Sequence, residues 1–168
     1  MNIMKIAFLD RDGTIMHDYP DNVWSRIETP NFFSDTFSAL KNIQDKGYKI
    51  IVITNQYIIG EKIITKEQYK NFTTLYIEIL KKHYIDIFDI FYCPHSREMN
   101  CKCCKPNTGM IKEAINKHNN IEISKSFLAG DSKCDENLAK SLNINFFNVN
   151  YQNLKKPITK LSDIIPYI

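Results

Sequence analysis

No apolar run in this sequence approaches the ~20 residues needed to span a bilayer, so no membrane-spanning helix is expected. The first residues, Met1 to Lys5, run straight into a strand-like segment. They lack a basic stretch followed by a long apolar one, and no signal peptide is expected. An excess of charge of one sign is also missing. The 22 Lys and Arg against 19 Asp and Glu leave a net charge of +3, with the bases dispersed in small pairs such as Lys81-Lys82 and Lys155-Lys156. That pattern lacks the concentrated basic face of a nucleic-acid binder, and no nucleic-acid partner is expected. Repeats, low-complexity stretches and internal linkers are absent too. Residues 1–168 therefore read as a single domain, long enough to bury a real core. The five cysteines lack the even count of a secreted disulfide framework. Four of them fall within residues 93–104 beside His95, and Cys134 stands alone, which points to a metal site in a reducing compartment and to a cytoplasmic protein.

What is present alternates strand with helix. Short apolar runs cover residues 3–9, 48–53, 87–92, 126–129 and 144–149, each with the length and composition of a buried strand. Between them lie helical stripes. One is Phe37, Leu40 and Ile43, stopped by Gly47. A second is Tyr69, Phe72, Tyr76, Ile79, Leu80 and His83 after a capping box at Thr65-Lys66-Glu67-Gln68. A third is Met110, Ile111, Ala114, Ile115 and His118, and a shorter one is Leu138, Ala139 and Leu142. This order predicts an α/β fold, a parallel sheet with helices on its faces. Residues 151–168 read as a polar segment and a short terminal helix or tail.

Polar residues cluster where the strands end. In open parallel sheets, ligand sites form at the carboxyl ends of strands. Asp10-Arg11-Asp12-Gly13-Thr14 places two carboxylates just past the first strand, with a glycine for a tight turn. Asp10 is suited to attack phosphorus as a nucleophile, and Asp12 to protonate a leaving alcohol and then activate water. Thr54-Asn55-Gln56 offers a hydroxyl and amides to phosphate oxygens, and Lys105-Pro106 offers a point charge. Gly130-Asp131-Ser132 supplies a further carboxylate suited to magnesium, with Asp135 one helical turn beyond as a buttress. His83 and His118 read as packing or surface residues. His17 lies with Asp18, Tyr19 and Asp21 in the loop after Asp10, and Trp24 follows it.

In this order, Asp10-Arg11-Asp12-Gly13-Thr14, Thr54-Asn55-Gln56, Lys105-Pro106 and Gly130-Asp131 resemble the haloacid dehalogenase superfamily of phosphatases, over about residues 3–149. The resemblance implies a Rossmann-like, doubly wound parallel sheet. It implies Asp10 as nucleophile, Asp12 as acid/base, and Thr54 and Lys105 as stabilisers of the phosphate. Mg2+ would be held by Asp10, Asp131 and the Asp12 carbonyl, and Arg11, Asn55, Gln56, Cys104 and Ser132 would bind substrate. Cys93, His95, Cys101 and Cys103 form C-x-H-x5-C-x-C, three thiolates and an imidazole that suit tetrahedral, structural Zn2+. This is similar to the zinc loop of the subgroup containing heptose bisphosphate phosphatases and histidinol-phosphatase domains.

The chain departs from that subgroup at two places. Cys104 stands where an arginine usually precedes the catalytic lysine, and Tyr57-Ile58-Ile59-Gly60-Glu61-Lys62 replaces a Ser-Gly-Ile stretch. The first removes a bidentate anion donor and implies altered specificity. The spacings between motifs leave no room for a large cap domain. The expected activity is that of a monomeric phosphatase acting on a small phosphorylated metabolite. A sugar phosphate such as D-glycero-D-manno-heptose 1,7-bisphosphate leads, histidinol phosphate follows, and a nucleic-acid 3′-phosphatase shares the same chemistry. Outside enzymes, a phospho-aspartate receiver or a zinc-containing nucleic-acid module are the competing readings. A receiver, however, carries its acidic pair and its phosphorylated Asp on different strands.

Overall fold

The computed structural model describes residues 3–168. Five strands form one sheet: β1 (Ile6–Leu9), β2 (Lys49–Asn55), β3 (Ile87–Cys93), β4 (Phe127–Gly130) and β5 (Asn145–Asn148). All are parallel, in the order β3-β2-β1-β4-β5. The chain winds outward from β1 to β3, then returns to start β4 on the other side of β1. The junction of β1 and β4 is therefore the switch point of a doubly wound sheet, where a crevice opens at the carboxyl edge.

The helices are α1 (Asp21–Trp24), α2 (Thr36–Asp45), α3 (Tyr57–Gly60), α4 (Lys66–Lys82), α5 (Gly109–Lys117) and α6 (Lys133–Leu142). They divide between the two faces according to the two-residue period of the strands. Ala7, Leu9, Ile50 and Val52 pack with Leu40 and Ile43 of α2 and Tyr76 and Leu80 of α4. Ile6, Phe8, Ile51 and Ile53 pack with Met110 and Ile111 of α5 and Leu138 and Ala139 of α6. With both faces covered, the central strands need apolar residues at every position, which is why their sequences run continuously apolar. The capping box of α4 is formed: Gln68 N donates to Thr65 Oγ1 at 3.0 Å, and Thr65 N donates to Gln68 Oε1 at 2.8 Å.

Three details differ from the sequence reading. The first strand begins at Ile6, because Met4 makes only an isolated bridge to Ile121. The helices α1 and α3 are single turns of four residues, too short to print a helical period. Residues Leu161–Tyr167 form a 3-10 turn whose Leu161 and Ile164 are buried in the core that α2 borders, so the terminal segment is docked rather than loose. Among the described residues, no helix is long and apolar enough to cross a membrane.

Candidate active site

The loops leaving β1, β2 and β4, together with the segment before α5, meet at the switch point. Asp10 N donates to Ala129 O at 3.0 Å, which ties the end of β1 to β4. Gly13 has φ +86°, and a Cβ there would lie 2.3 Å from Asp131 Oδ2. Glycine at 13 thus serves both the left-handed turn and the close approach of Asp131. At Gly130 a Cβ would lie 2.4 Å from Asp135 Cγ, so that side chain also needs a bare backbone beside it.

Lys105 is the organising cation. Its buried Nζ donates to Asp10 Oδ1 at 2.6 Å, Asp135 Oδ1 at 2.7 Å and Ile53 O at 3.0 Å, which uses all three ammonium protons. Asn55 sets its backbone: Lys105 N donates to Asn55 Oδ1 at 2.8 Å, and Asn55 Nδ2 donates to Lys105 O at 3.1 Å. The second oxygen of Asp10 accepts from Thr14 Oγ1 at 3.2 Å. Burial lowers the Lys105 pKa, but the adjacent Asp10 and Asp135 carboxylates outweigh it and drive it upward, so the ammonium is charged. Burial raises Asp10 well above the ordinary carboxylate range. Lys105 opposes that shift, while Asp135, Asp131 and Asp12 add to it. Burial, then the nearby Asp135, raises Asp131 to about 6.

Asp12 is held differently. Arg11 Nε donates to its Oδ1 at 2.8 Å and Arg11 Nη2 to its Oδ2 at 3.0 Å, while Gln56 Nε2 donates to Oδ2 at 2.7 Å and to Thr54 Oγ1 at 2.8 Å. Ser132 caps α6, receiving the Asp135 amide on its hydroxyl and donating that hydroxyl to the Asp135 carboxylate.

A cavity of about 180 Å3 gathers Asp10, Asp12, Thr54, Lys105 and Asp131, with Asn55, Gln56 and Ser132 in its wall. It adds Asp18, Trp24, Tyr57 and Ile58. Two residues expected to touch substrate lie elsewhere. Arg11 is only 2% exposed, forks onto Asp12, and sits 5.1 Å from the Phe72 ring centre and 5.8 Å from that of Trp24. It is a strut for the acid/base candidate rather than a substrate contact. The Cys104 thiol turns toward Lys105 O at 3.6 Å and is not part of the cavity wall. His17 stacks on Phe33 with ring centres 4.3 Å apart. Tyr57 and Ile58 had no signal in the sequence, because their place in the wall comes from the single turn α3.

Carboxylate oxygens of Asp10, Asp131 and Asp135 lie within 4.8 Å of one another, an oxygen-only set that fits a hard divalent cation. Asp135 is also committed to Lys105 and Ser132. A second cluster joins Cys93, His95, Cys101 and Cys103 within the same limit. Cys93 Sγ lies 3.3 Å from Cys101 Sγ and 3.0 Å from Cys103 Sγ, and His95 Nδ1 lies 3.1 Å from Cys103 Sγ. Burial pushes the Cys101 thiol up, but the Cys104 amide and the Cys93 and Cys103 thiols bring it down to about 6. Three sulfurs and one ring nitrogen converging from one loop fit a tetrahedral soft-cation site. Cys104 stays outside it, giving only its amide to Cys101 Sγ at 3.3 Å.

Comparison with known proteins agrees with this geometry. Residues 5–155 match the family described as polynucleotide kinase 3 phosphatase. The chain is 40% identical over 141 residues to a D-glycero-alpha-D-manno-heptose-1,7-bisphosphate 7-phosphatase of Photorhabdus laumondii, covering 80% of this chain and 75% of that one. It is 36% identical over 141 residues to the histidine biosynthesis bifunctional protein HisB of Campylobacter jejuni, covering 83% of this chain and 40% of that protein. Its fold matches the crystal structure of D,D-heptose 1,7-bisphosphate phosphatase from B. bronchiseptica complexed with magnesium and phosphate. The TM-score is 0.84 at 18% identity, over 98% of this chain and 97% of that one. The chain belongs to the polynucleotide kinase 3 phosphatase family and is a phosphatase of the haloacid dehalogenase superfamily.

Proposed function

We propose that this phosphatase hydrolyses a small sugar phosphate, D-glycero-D-manno-heptose 1,7-bisphosphate being the leading substrate, through a phospho-aspartate on Asp10. The observation that carries the reading is the meeting of Asp10, Asp12, Thr54, Lys105 and Asp131 in one cavity at the switch point. The Asp10 carboxylate attacks phosphorus, and the ester oxygen departs with a proton from Asp12. Lys105 and Thr54 offer their protons to the phosphoryl oxygens as charge develops there. Asp12 then takes a proton from water, whose oxygen attacks the acyl phosphate, releasing phosphate and restoring Asp10. Arg11 and Gln56, both bonded to Asp12, keep its carboxylate aimed for both transfers. Magnesium, held by Asp10, Asp131 and the Asp12 carbonyl, would supply the positive charge that lets an anionic nucleophile approach a phosphate. Zinc at Cys93, His95, Cys101 and Cys103 would fix the loop that delivers Lys105.

The sugar is supported by the relatives named for heptose bisphosphate and by a cavity wall rich in hydroxyl partners, with Asp18, Asn55 and Gln56 facing it. Histidinol phosphate is the second reading, favoured by the HisB likeness and by the Trp24 and Tyr57 rings in the same wall. The test is phosphate release from both compounds, with magnesium, by wild type and Asp10→Asn. Wild type should turn over the heptose bisphosphate with the higher kcat/KM, and Asp10→Asn should lose at least about a thousandfold in kcat, since removing a nucleophile leaves only binding and electrostatics. Retained turnover in Asp10→Asn would refute the phospho-aspartate route.

A further inference from the structure

The catalytic cavity has a single base in its wall, Lys105, yet an arginine stands one residue behind that wall. Arg97 lies between the cluster residues His95 and Cys101. Its Nε donates to Glu61 Oε1 at 2.8 Å and its Nη2 to Glu61 Oε2 at 2.6 Å, a two-point fork. Nη2 also donates to Asp21 Oδ2 at 3.0 Å, and the Arg97 amide to Glu61 Oε1 at 3.3 Å. The guanidinium carbon sits 4.2 Å from the centre of the Tyr57 ring, whose hydroxyl donates to Asp21 Oδ1 at 2.9 Å. Three loops are thereby joined: Asp21 from the loop after β1, Tyr57 and Glu61 from the turn after β2, and Arg97 from the loop after β3. An independent contact places the last two together. A Cβ on Gly60 would lie 2.3 Å from Ser96 N and 2.7 Å from Pro94 O, so the α3 turn rests directly on the backbone of the cysteine loop.

Tyr57 is the member of this network that lines the cavity. Its ring is held by Arg97 on one side and its hydroxyl by Asp21, so its position depends on the arginine. Lysine would not serve equally, because the fork to Glu61 and the stacking on Tyr57 both use a planar guanidinium.

We propose that Arg97 is a positioning residue for the phosphatase reaction: by gripping Glu61 and Asp21 around Tyr57 it fixes the cavity wall against which the leaving group rests. It sets affinity for the leaving group and leaves the chemical step at Asp10 untouched. The proposal rests on the phosphatase reading, whose failure would show in the wild type's own turnover. This proposal instead stands on differences between variants.

The probes are p-nitrophenyl phosphate as substrate and inorganic phosphate as inhibitor, both with magnesium. Phosphate occupies the phosphoryl site but has no leaving group to touch Tyr57. Arg97→Ala should raise KM for the ester roughly fivefold to tenfold, the scale of one lost charge-assisted contact, with kcat within about twofold. The inhibition constant of phosphate should not move. Arg97→Lys should recover part of the loss, and Glu61→Gln should raise KM in the same direction. Combined with Arg97→Ala, Glu61→Gln should add nothing further, because both act through one network. Arg97 has a side chain 57% exposed, so its removal spares the core. If Arg97→Ala failed to fold, Glu61→Gln would carry the same comparison. An unchanged KM, a parallel rise in the phosphate inhibition constant, or full additivity in the double variant would overturn the proposal.

Discussion

At the scale of single residues, the site is a problem of charge balance. One ammonium, Lys105, faces Asp10 and Asp135, and Asp131 stands close by with no cation of its own. Burial therefore keeps Asp131 protonated up to about 6 and raises Asp10 as well. A carboxylate whose pKa is higher in the folded than in the unfolded chain holds its proton more tightly when folded. Its contribution to stability is complete below the unfolded value of 3.8 and is lost as pH rises through about 6. A divalent cation at these oxygens reverses the balance, since it binds the ionised form. Magnesium should therefore raise the melting temperature clearly at about pH 7.5 and much less at about pH 5, where it competes with protons. A magnesium-induced shift equal at both pH values would contradict this account of Asp131. Asp10, Asp12 and Lys105 were legible in the sequence because each sits in a short, local motif. The burial of Arg11 was not, since it is imposed by Trp24, Tyr69 and Phe72, which reach it from other elements.

Among the elements, the loop between β3 and α5 carries the most consequence for its length. Cys93 is the last residue of β3, so the sheet itself places the first sulfur, and His95, Cys101 and Cys103 close the cluster around it. The same loop brings Arg97 to Tyr57 and, two residues past Cys103, Lys105 to Asp10. A metal here is expected to hold the loop in one conformation, at one zinc per chain in protein purified without added metal. Cys101→Ser should abolish that zinc and lower stability on the order of 3 kcal/mol, a fall of roughly 6–12 °C in melting temperature for a chain of this size. Metal analysis beside thermal unfolding checks both. A Cys101→Ser protein that kept its zinc would remove Cys101 from the ligand set. The cluster was readable because ligand chemistry and spacing are local properties, as were the five strands, whose two buried faces demand continuous apolar runs. The α1 and α3 turns were not, because four residues complete barely one helical turn and leave no period to detect.

For the whole molecule, doubly wound topology decides which distant segments become neighbours. The sheet places β5 at one edge, beyond β4, and the chain then returns toward the loop that follows Asp10. Gln152 clasps that loop at Asp18: Asp18 N donates to Gln152 Oε1 at 2.9 Å, and Gln152 Nε2 donates to Asp18 O at 3.1 Å. Beside it the Tyr151 ring stacks on Phe33, with centres 3.7 Å apart, and Phe33 in turn meets His17. None of this was legible from residues 151–168, which look polar, because the partners lie more than a hundred positions earlier. The Tyr151 hydroxyl donates to the Asp35 carboxylate and accepts from Leu161 N at 2.6 Å, while Ser162 N donates to Asp35 Oδ2 at 2.9 Å. One phenol thus joins the start of α2 to the terminal 3-10 turn. Tyr151→Phe preserves the stacked ring but leaves the Leu161 amide without its acceptor and the Asp35 carboxylate without one donor. The expected cost is about 1–3 kcal/mol, the penalty for stranding such groups, read as a lower urea midpoint with an unchanged slope. Because Gln152 still holds Asp18, kcat/KM should remain within about twofold of wild type. An unchanged midpoint would mean that the terminal turn is held by Leu161 and Ile164 alone, and a fall in kcat/KM as large as the fall in stability would mean that the brace and the active site are one cooperative unit.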